Sequence, residues 1–457
     1  MHGPRRTARY DRDWTQGNIT RNFLALSWPM VVSGTLNMMG PTIDMIWVGR
    51  LGEASIAGVG ISTMVVQLVN SSVTGLFMGM RAMIARLVGA GDPDGANHVA
   101  RQAFVVSIAF SLVVAAIGIF LAEQILFLFG VAPDVVSEGA VYLRINFIGM
   151  VTMSFRMMSE ATMNASGDTI RPMRIAIAFR VFHVALAPFL VFGVWVFPRL
   201  GVSGAAVTNV FSQALGAGLG FWLLFSGRTR LRMTMRNFRF DPKTTWRMVK
   251  IGIPASITNM ERTFGQLLLM WFVVPFGTLA VAAHSVGQRI DNFVHNPSMA
   301  FGQASGVLGG QNLGARQPER AARTAWTGGG IVTCILVLIS VPMFIWAQSV
   351  ASIFTPKPEL QELTGVFIRI VAVGNLFFGL VIVLSQTLNG VGDTFPVMVV
   401  TLLGMWAVQV PTAFLLTRFV PSLGVYGVWW AIVSGVFARA IIYTLYFRRG
   451  SWKARRV

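Results

Sequence analysis

Acidic residues inside long apolar segments are the side chains of this sequence best placed to do chemistry. Only 18 of the 457 residues are Asp or Glu, and Asp44, Glu261 and Asp291 are among the few that lie in segments long enough to cross a hydrocarbon layer. A charge at the centre of a bilayer costs at least ~2.5–3.5 kcal/mol on insertion scales, so each carboxyl group there needs a reason. Such a group can exchange a proton or bind Na⁺. The three residues are therefore candidates for cation coupling rather than for catalysis.

Asp44 shares a predicted helix face with other polar groups. Ser33, Asn37, Pro41 and Asp44 are spaced by four, four and three residues, which places them on one side of a helix. Because Pro41 has no N–H, the carbonyl of Asn37 loses its helical partner and is available to a cation or to water. The pattern predicts a proton or sodium site at Asp44. The alternative is a structural carboxylate near the outer helix end, with Arg50 close by.

A second polar stripe follows one face of the eighth apolar segment. Its members recur at intervals of four, three, four and three residues: His284, Gln288, Asp291, His295 and Ser298. Such a face must look into a cavity or another helix rather than into lipid. Glu261 lies in the preceding segment, where its neighbour Arg262 points about 100° away and need not pair with it. Both acids are candidate ion ligands, supported by His284 and Gln288, and a structural interhelical network is the alternative.

Two further polar sets lie in the fourth and fifth segments. His183 shares a face with Arg180 and could titrate near neutral pH, although a hydrogen-bonded structural role fits equally well. Arg156 and Glu160 are four residues apart and can neutralise each other, so we expect this pair to be structural.

Composition excludes most other classes of protein. Hydrophobic residues make up 54% of the chain and charged residues 12%, against about 25% charged in soluble proteins. The single cysteine excludes an intramolecular disulfide and a thiolate metal cluster, and no phosphate loop or hydrolase motif occurs. We therefore predict a polytopic all-α membrane protein that is not an enzyme, needs no cofactor and has the lipid bilayer as its surroundings.

The apolar segments number twelve. They fall near 22–48, 55–80, 103–128, 140–163, 173–197, 201–226, 249–274, 279–305, 326–350, 365–390, 395–418 and 424–446. With both termini cytoplasmic, nearly all loop Lys and Arg lie inside, and the outer loops hold only Arg50, Arg199, Lys357 and Arg418. This distribution accounts for most of the net charge of +19 without a nucleic-acid partner. It predicts a multi-pass protein of the plasma (cell inner) membrane.

The sequence also repeats itself at an offset of 225 residues. Pro29 corresponds to Pro254, and the run Asn164–Thr169 corresponds to Asn389–Thr394. We predict a cytoplasmic tail at 1–21, an N-lobe at 22–226, a basic linker at 227–248, a C-lobe at 249–446 and a cytoplasmic tail at 447–457. Two six-helix lobes enter the membrane from the same side and are related by a pseudo-two-fold axis along its normal. This is the architecture of transporters with two rocking bundles.

The chain resembles the multidrug and toxic compound extrusion (MATE) family of cation-coupled antiporters over residues 15–450. The resemblance is carried by motifs that occur in order and at the right spacing: Ser27-Trp28-Pro29, Thr42-Ile43-Asp44, Val48-Gly49-Arg50-Leu51-Gly52, Ala85-Arg86-Leu87-Val88-Gly89-Ala90-Gly91, Gln311-Asn312-Leu313-Gly314-Ala315, Asn389-Gly390-Val391-Gly392-Asp393-Thr394 and Gly424-Val425-Tyr426-Gly427-Val428-Trp429. It implies export of organic cations, often drugs, by alternating access of two lobes and driven by H⁺ or Na⁺. It also implies that Asp44 and Glu261 match acids of the family's N-lobe and C-lobe sites.

Two departures from the family pattern bear on the coupling ion. His183 and Ala187 stand where many members have Asn and Asp, and Phe378 stands where some have Asp. Each site is therefore short of one carboxylate, which weakens the case for Na⁺ and favours H⁺. Thr208 and Asn209 could supply the remaining oxygen ligands of the N-lobe.

The resulting prediction is a monomeric secondary antiporter that exports organic cations or drugs in exchange for H⁺ or Na⁺, with Na⁺ possible at Asp44. The alternative is a flippase or exporter of lipid-linked saccharides or other amphiphiles from the same superfamily.

Overall fold

The computed structural model describes residues 12–48, 53–128, 130, 133–193, 198–236 and 238–455. Most of the predicted N-terminal tail, the motif residues at 49–52 and the last two residues of the C-terminal tail lie outside this part of the chain. The described residues form α-helices, short 3₁₀ and π segments and connecting turns, without a β-strand.

Seven α-helices precede the basic linker. They are α1 (Ile19–Val48), α2 (Glu53–Gly89), α3 (Pro93–Phe127), α4 (Pro133–Ile148), α5 (Met150–Ser166), α6 (Ile170–Phe192) and α7 (Val202–Phe225). The predicted fourth segment corresponds to α4 and α5, which are separated at Gly149.

Eight α-helices follow α7. They are α8 (Pro242–Val273), α9 (Thr278–Gly314), α10 (Pro318–Ile345), α11 (Ala347–Ser352), α12 (Pro358–Gly390), α13 (Thr394–Leu402), α14 (Val410–Phe419) and α15 (Tyr426–Arg449). A π-helix, Leu403–Gln409, joins α13 to α14, so one predicted segment contains both. Each of the twelve predicted segments therefore overlaps helix, and the all-helical membrane fold is confirmed.

Eight stretches of the described chain are long and apolar enough to cross a membrane. They lie in α2, α3, α6, α7, α10, α12, the α13–α14 stretch and α15. The other long helices, α1, α8 and α9, are the ones that contain the candidate residues Asp44, Glu261 and Asp291.

The chain folds into two compact units. Unit 1 contains Val32–Lys250, and unit 2 contains Trp14–Val31 together with the chain from Ile251 onward. The division falls inside α1 and inside α8, so each of these helices contributes one part to each unit.

Helices within each unit approach closely where glycines face each other. In unit 2, a Cβ on Gly390 of α12 would lie 2.2 Å from the carbonyl oxygen of Gly306 in α9. In unit 1, a Cβ on Gly58 of α2 would lie 2.9 Å from the backbone nitrogen of Gly139 in α4. Small residues permit such contacts between membrane helices, where dispersion between the backbones replaces the hydrophobic driving force.

The sequence repeat recurs in the turns. Gly167 after α5 and Gly392 after α12 have φ values of +91° and +87°, and the Asp that follows each donates its N–H to the carbonyl five residues earlier (3.0 and 2.9 Å). Glycine adopts this left-handed conformation without strain. At a second pair of equivalent turns, Gly91 (φ +75°) is matched by Arg316 (φ +59°), a conformation that is strained for a residue with a Cβ.

Helix α8 begins at Pro242, inside the segment predicted as linker, because Asp241 caps it. The Oδ1 atom of Asp241 accepts hydrogen bonds from the N–H groups of Lys243 (3.0 Å) and Thr244 (3.2 Å). Gln102 of α3 accepts a hydrogen bond from the Asp241 N–H (3.1 Å) and donates one to the Arg239 carbonyl (2.8 Å). The helix start is therefore capped and bonded to α3 within unit 1.

Hydrogen bonds hold the pKa of the Asp241 carboxyl group below its usual range. The largest contribution comes from the Thr244 hydroxyl (2.6 Å), followed by the His98 ring (3.2 Å) and the Thr244 N–H. A depressed pKa means that the contact stabilises the protein fully above the ordinary Asp pKa, and that this contribution is lost as the pH falls through the lowered value.

We expect Asp241→Ala to increase amide hydrogen exchange in the first turn of α8 at neutral pH, because the cap is lost. The wild type should show the same increase only in strong acid. Asp241→Asn, which keeps one capping oxygen, is the control. Equal exchange in Asp241→Ala and the wild type at neutral pH would contradict the role of this cap.

Candidate functional site

Asp44 of α1 contacts His183 of α6 inside unit 1. His183 Nε2 lies 3.0 Å from Asp44 Oδ1, and the two side chains are only 1% and 4% exposed. The structure thus brings together two of the residues that the sequence singled out, although 139 positions separate them. A buried carboxylate requires a donor, and the imidazole supplies one.

Arg180 fixes the protonation state of this histidine. Its Nη1 lies 2.8 Å from His183 Nδ1, and a guanidinium group can only donate hydrogen bonds. Nδ1 therefore accepts, so the ring proton is on Nε2, which donates to Asp44. His183 is thus neutral and links an anion to a cation.

The Asn37 carbonyl, predicted to be free because of Pro41, accepts a hydrogen bond from Arg180 Nη2 at 3.3 Å. The guanidinium group has room there because residue 40 is glycine: a Cβ at this position would lie 2.5 Å from Arg180 Nη1. Asn37 therefore joins the Asp44 cluster through its main chain.

The predicted supporting residues of α7 form other hydrogen bonds. Asn209 Nδ2 donates to Asn146 Oδ1 (3.2 Å), and Gln213 donates to Asn209 Oδ1 (3.4 Å). The Thr208 hydroxyl donates to the Gly204 carbonyl (2.7 Å). Among the described contacts, neither Thr208 nor Asn209 bonds to Asp44.

The Arg156–Glu160 pair borders the Asp44 cluster. Its two side chains form an ion pair at 2.7 Å, and Arg156 Nε also donates to Gln213. The Phe179 ring lies 4.8 Å from the Arg156 guanidinium carbon and 5.2 Å from that of Arg180. Both cations are therefore in cation–π contact with one aromatic ring.

Unit 2 contains a cavity of about 200 Å³. Its polar lining groups include Glu261, Arg262, Gln288, Asp291, His295, Arg439 and Tyr443. Its apolar walls include Met299, Phe367, Phe378, Val381 and Met405. Gln288, Asp291 and His295 of the stripe predicted on α9 therefore line this cavity, and Glu261 on α8 lines it too.

Asp291 is paired with His295 within this cavity. Asp291 Oδ2 lies 3.1 Å from His295 Nδ1, while His295 Nε2 lies 2.7 Å from Asn375 Oδ1. Asn375 Nδ2 in turn donates to the Ser340 hydroxyl (3.0 Å). His295 therefore joins the Asp291 carboxylate to the Asn375 amide through its two ring nitrogens.

Glu261 differs from the other two acids because its carboxylate has no hydrogen bond or ion pair within the described residues. It is 8% exposed and lies in the electrostatic fields of Arg439 and Arg262. Arg439 itself donates to the Gly435 carbonyl (3.0 Å) and to Gln409 (3.4 Å). Glu261 is thus the carboxylate of unit 2 that is available to a proton or a cation.

His284 does not line the cavity, although it shares the helix face. It is fully buried against the Phe367 ring, at 5.6 Å between centroids and 87° between planes. Neither ring nitrogen has a hydrogen-bond partner in the described part of the chain. The Phe378 ring stacks on His295 at 3.8 Å between ring centroids.

Arg439 and Asn375 are not among the residues predicted from the sequence. An arginine inside an apolar segment is a signal that could have identified Arg439. The hydrogen-bonding partner of His295 could not be found in this way, because Asn375 is uncharged and 80 residues distant. Within the described residues, no group of three or more His, Cys, Asp or Glu side chains could hold a metal ion.

Comparison with known proteins follows the internal repeat. The MatE family model matches residues 29–189 and again residues 254–415, and the two matches begin 225 residues apart. The chain is similar to the probable multidrug resistance protein NorM of Thermotoga maritima, at 24% identity over 442 residues, covering 96% of this chain and 94% of that protein.

Two further similarities extend over nearly the whole chain. The probable multidrug resistance protein YpnP of Bacillus subtilis is 26% identical over 448 residues, covering 97% of this chain and 98% of that protein. A crystal structure of MATE in the bent conformation superimposes with a TM-score of 0.90 at 22% identity, covering 95% of this chain and 96% of that one.

Proposed function

Because the chain belongs to the MatE family, whose members are transporters rather than enzymes, we propose that it is a secondary active multidrug efflux antiporter. In this proposal it exports organic cations in exchange for H⁺ or Na⁺ by alternating access of its two halves. The NorM and YpnP relatives are named as probable multidrug resistance proteins, which supports export of drugs.

The observation that carries the proposal is the free carboxylate of Glu261 beside a cavity in a membrane helix. A carboxylate without a fixed partner can bind a proton in one state and a cation in another. An ion gradient drives transport only if the ion binds the two states with different free energies. In this proposal the surroundings of Glu261 differ between the two states, so that the proton binds more tightly in one of them.

The cavity of unit 2 suits the coupling ion better than a whole drug molecule. Its volume of about 200 Å³ lies below the ~300–1,000 Å³ of sites for drug-sized ligands. We therefore assign it to the proton or cation and the accompanying water. Gln288 and Asp291 face the same space and can hydrogen-bond to that water.

We also propose a monomer in the cell inner membrane with both termini cytoplasmic and no bound cofactor. The distribution of Lys and Arg among the predicted loops supports this orientation, and the bacterial relatives support this membrane.

Glu261→Gln is expected to lower ΔpH-driven efflux of a fluorescent organic cation from proteoliposomes by roughly 5–150-fold, the range of a typical coupling free energy. Glutamine keeps the size of the side chain but cannot exchange a proton. Glu359→Gln, the same change at an exposed acid at the start of α12, is the matched control.

The same vesicles test the antiport proposal as a whole. Wild-type efflux under an imposed pH gradient or an imposed sodium gradient would identify the coupling ion. Absence of efflux under both gradients would contradict antiport and favour the flippase alternative. Normal coupling in Glu261→Gln would remove Glu261 from the mechanism.

A further inference from the structure

We propose that the guanidinium group of Arg180 occupies the place of a metal cation in unit 1, so that Asp44 exchanges protons but does not bind Na⁺. The inference rests on the proposed antiport function and specifies the coupling ion of one site.

The first support is that Arg180 already donates hydrogen bonds to the lone pairs that a metal cation would use. Its Nη2 bonds to the Asn37 carbonyl (3.3 Å), and its Nη1 bonds to Nδ1 of His183 (2.8 Å). The helical main chain offers the Asn37 carbonyl because Pro41 cannot donate to it. The Asn37 carbonyl, which Pro41 leaves available to a cation, is therefore already bound to the guanidinium cation of Arg180.

The second support is that Gly40 of α1 leaves space for the Arg180 side chain. A Cβ on Gly40 would lie 2.5 Å from Nη1, 2.8 Å from Nη2 and 3.0 Å from Cζ of Arg180. These are contacts closer than real Cβ atoms make, so the guanidinium group fits there only against a glycine. Arg180 is 6% exposed and cannot lose its proton, so its charge persists in this buried place.

The third support is the balance of charge and ligands around Asp44. The anion Asp44 and the cation Arg180 offset each other through neutral His183. A proton needs only one carboxylate oxygen, and Asp44 Oδ2 accepts no hydrogen bond among the described residues. Sodium needs several oxygen ligands, and it would meet the positive charge of Arg180 at the position where they converge.

Charged and titratable groups on the other helices of unit 1 do not remove the repulsion between Arg180 and a sodium ion. Tyr142 of α4 lies in the field of Asp44, and Arg156 of α5 lies in that of Arg180. Glu160 is engaged by Arg156 at 2.7 Å. The net effect of the surroundings on a second cation near Asp44 is therefore repulsive or neutral.

The test measures sodium binding without transport. Purified protein in detergent is heated in NaCl or in KCl at the same ionic strength and at slightly alkaline pH. The quantity compared is the sodium-minus-potassium shift of the melting midpoint, with and without Asp44→Asn. Any shift caused by sodium bound at Glu261 in unit 2 is present in both proteins and therefore cancels in this comparison.

Asp44→Asn, introduced as the only change, should leave the sodium-minus-potassium shift of the melting midpoint unchanged. Gly40→Ala, which displaces the guanidinium group, and Arg180→Gln, which removes its charge, should each gain an Asp44-dependent shift of roughly 1–3 °C. Gly218→Ala is the matched control, because a Cβ there meets no atom within 4 Å.

Either of two results would overturn the inference: an Asp44-dependent sodium shift in the wild type, or no gain in both Gly40→Ala and Arg180→Gln. If one variant does not fold, the other decides. Because no gradient or drug is used, failure of the antiport proposal would appear in vesicle efflux and leave this readout unaffected.

Discussion

Asp44→Asn is expected to reduce ΔpH-driven efflux from proteoliposomes by roughly 5–150-fold, the range of typical coupling free energies. Asparagine has the same shape as aspartate, and its amide oxygen can still accept the hydrogen bond from His183 Nε2. The side chain nevertheless loses the ability to take up a proton. The helices keep their contact while the coupling is lost.

The same substitution also removes the counter-charge of Arg180, so the melting midpoint should fall. Breaking a buried charge pair destabilises because the remaining charge is uncompensated. A second variant, Asp44→Asn with Arg180→Gln, separates the two effects: it restores neutrality and should recover the melting midpoint. Efflux should stay low in both variants. Recovery of efflux in the double variant would show that Asp44 acts only as a structural counter-ion.

Gly390→Ala should produce the largest loss of stability. The added Cβ would lie 2.2 Å from the carbonyl oxygen of Gly306 and 2.4 Å from its Cα. Both partners are main-chain atoms, so α9 and α12 must move apart at this contact. Overpacking of this kind typically costs about 1–3 kcal/mol, occasionally more, and here no flexible side chain can yield.

The measurement is the melting midpoint and the yield of monodisperse protein in detergent. Gly374→Ala lies in the same helix and is the matched control, because its nearest contact would be 3.6 Å from Val433 Cγ2. Equal stability of the two variants would show that α9 and α12 can separate without cost.

The fold was largely predictable because apolar length alone defines a membrane helix. Local interruptions of the helices could not be predicted. The break at Gly149 and the π-helix at Leu403–Gln409 do not interrupt the apolar run, so hydrophobicity could not reveal them. The early start of α8 depends on the cap supplied by Asp241.

The site was predictable where one helix determines it. The Asn37 carbonyl is released by Pro41 through local geometry, and the α9 stripe reaches the cavity because its period is helical. Contacts between helices could not be predicted from the spacing of residues within one helix. His183 reaches Asp44 only through the packing of α6 on α1, and His284 is buried against Phe367 although it shares the stripe.

The two Asp–His pairs differ in the group that the second ring nitrogen contacts. Nδ1 of His183 faces the cation Arg180, whereas Nε2 of His295 faces the uncharged amide of Asn375. The imidazole of unit 1 therefore lies between an anion and a cation, and that of unit 2 lies between an anion and a neutral group. The internal repeat duplicated the helices without duplicating the charge around their histidines.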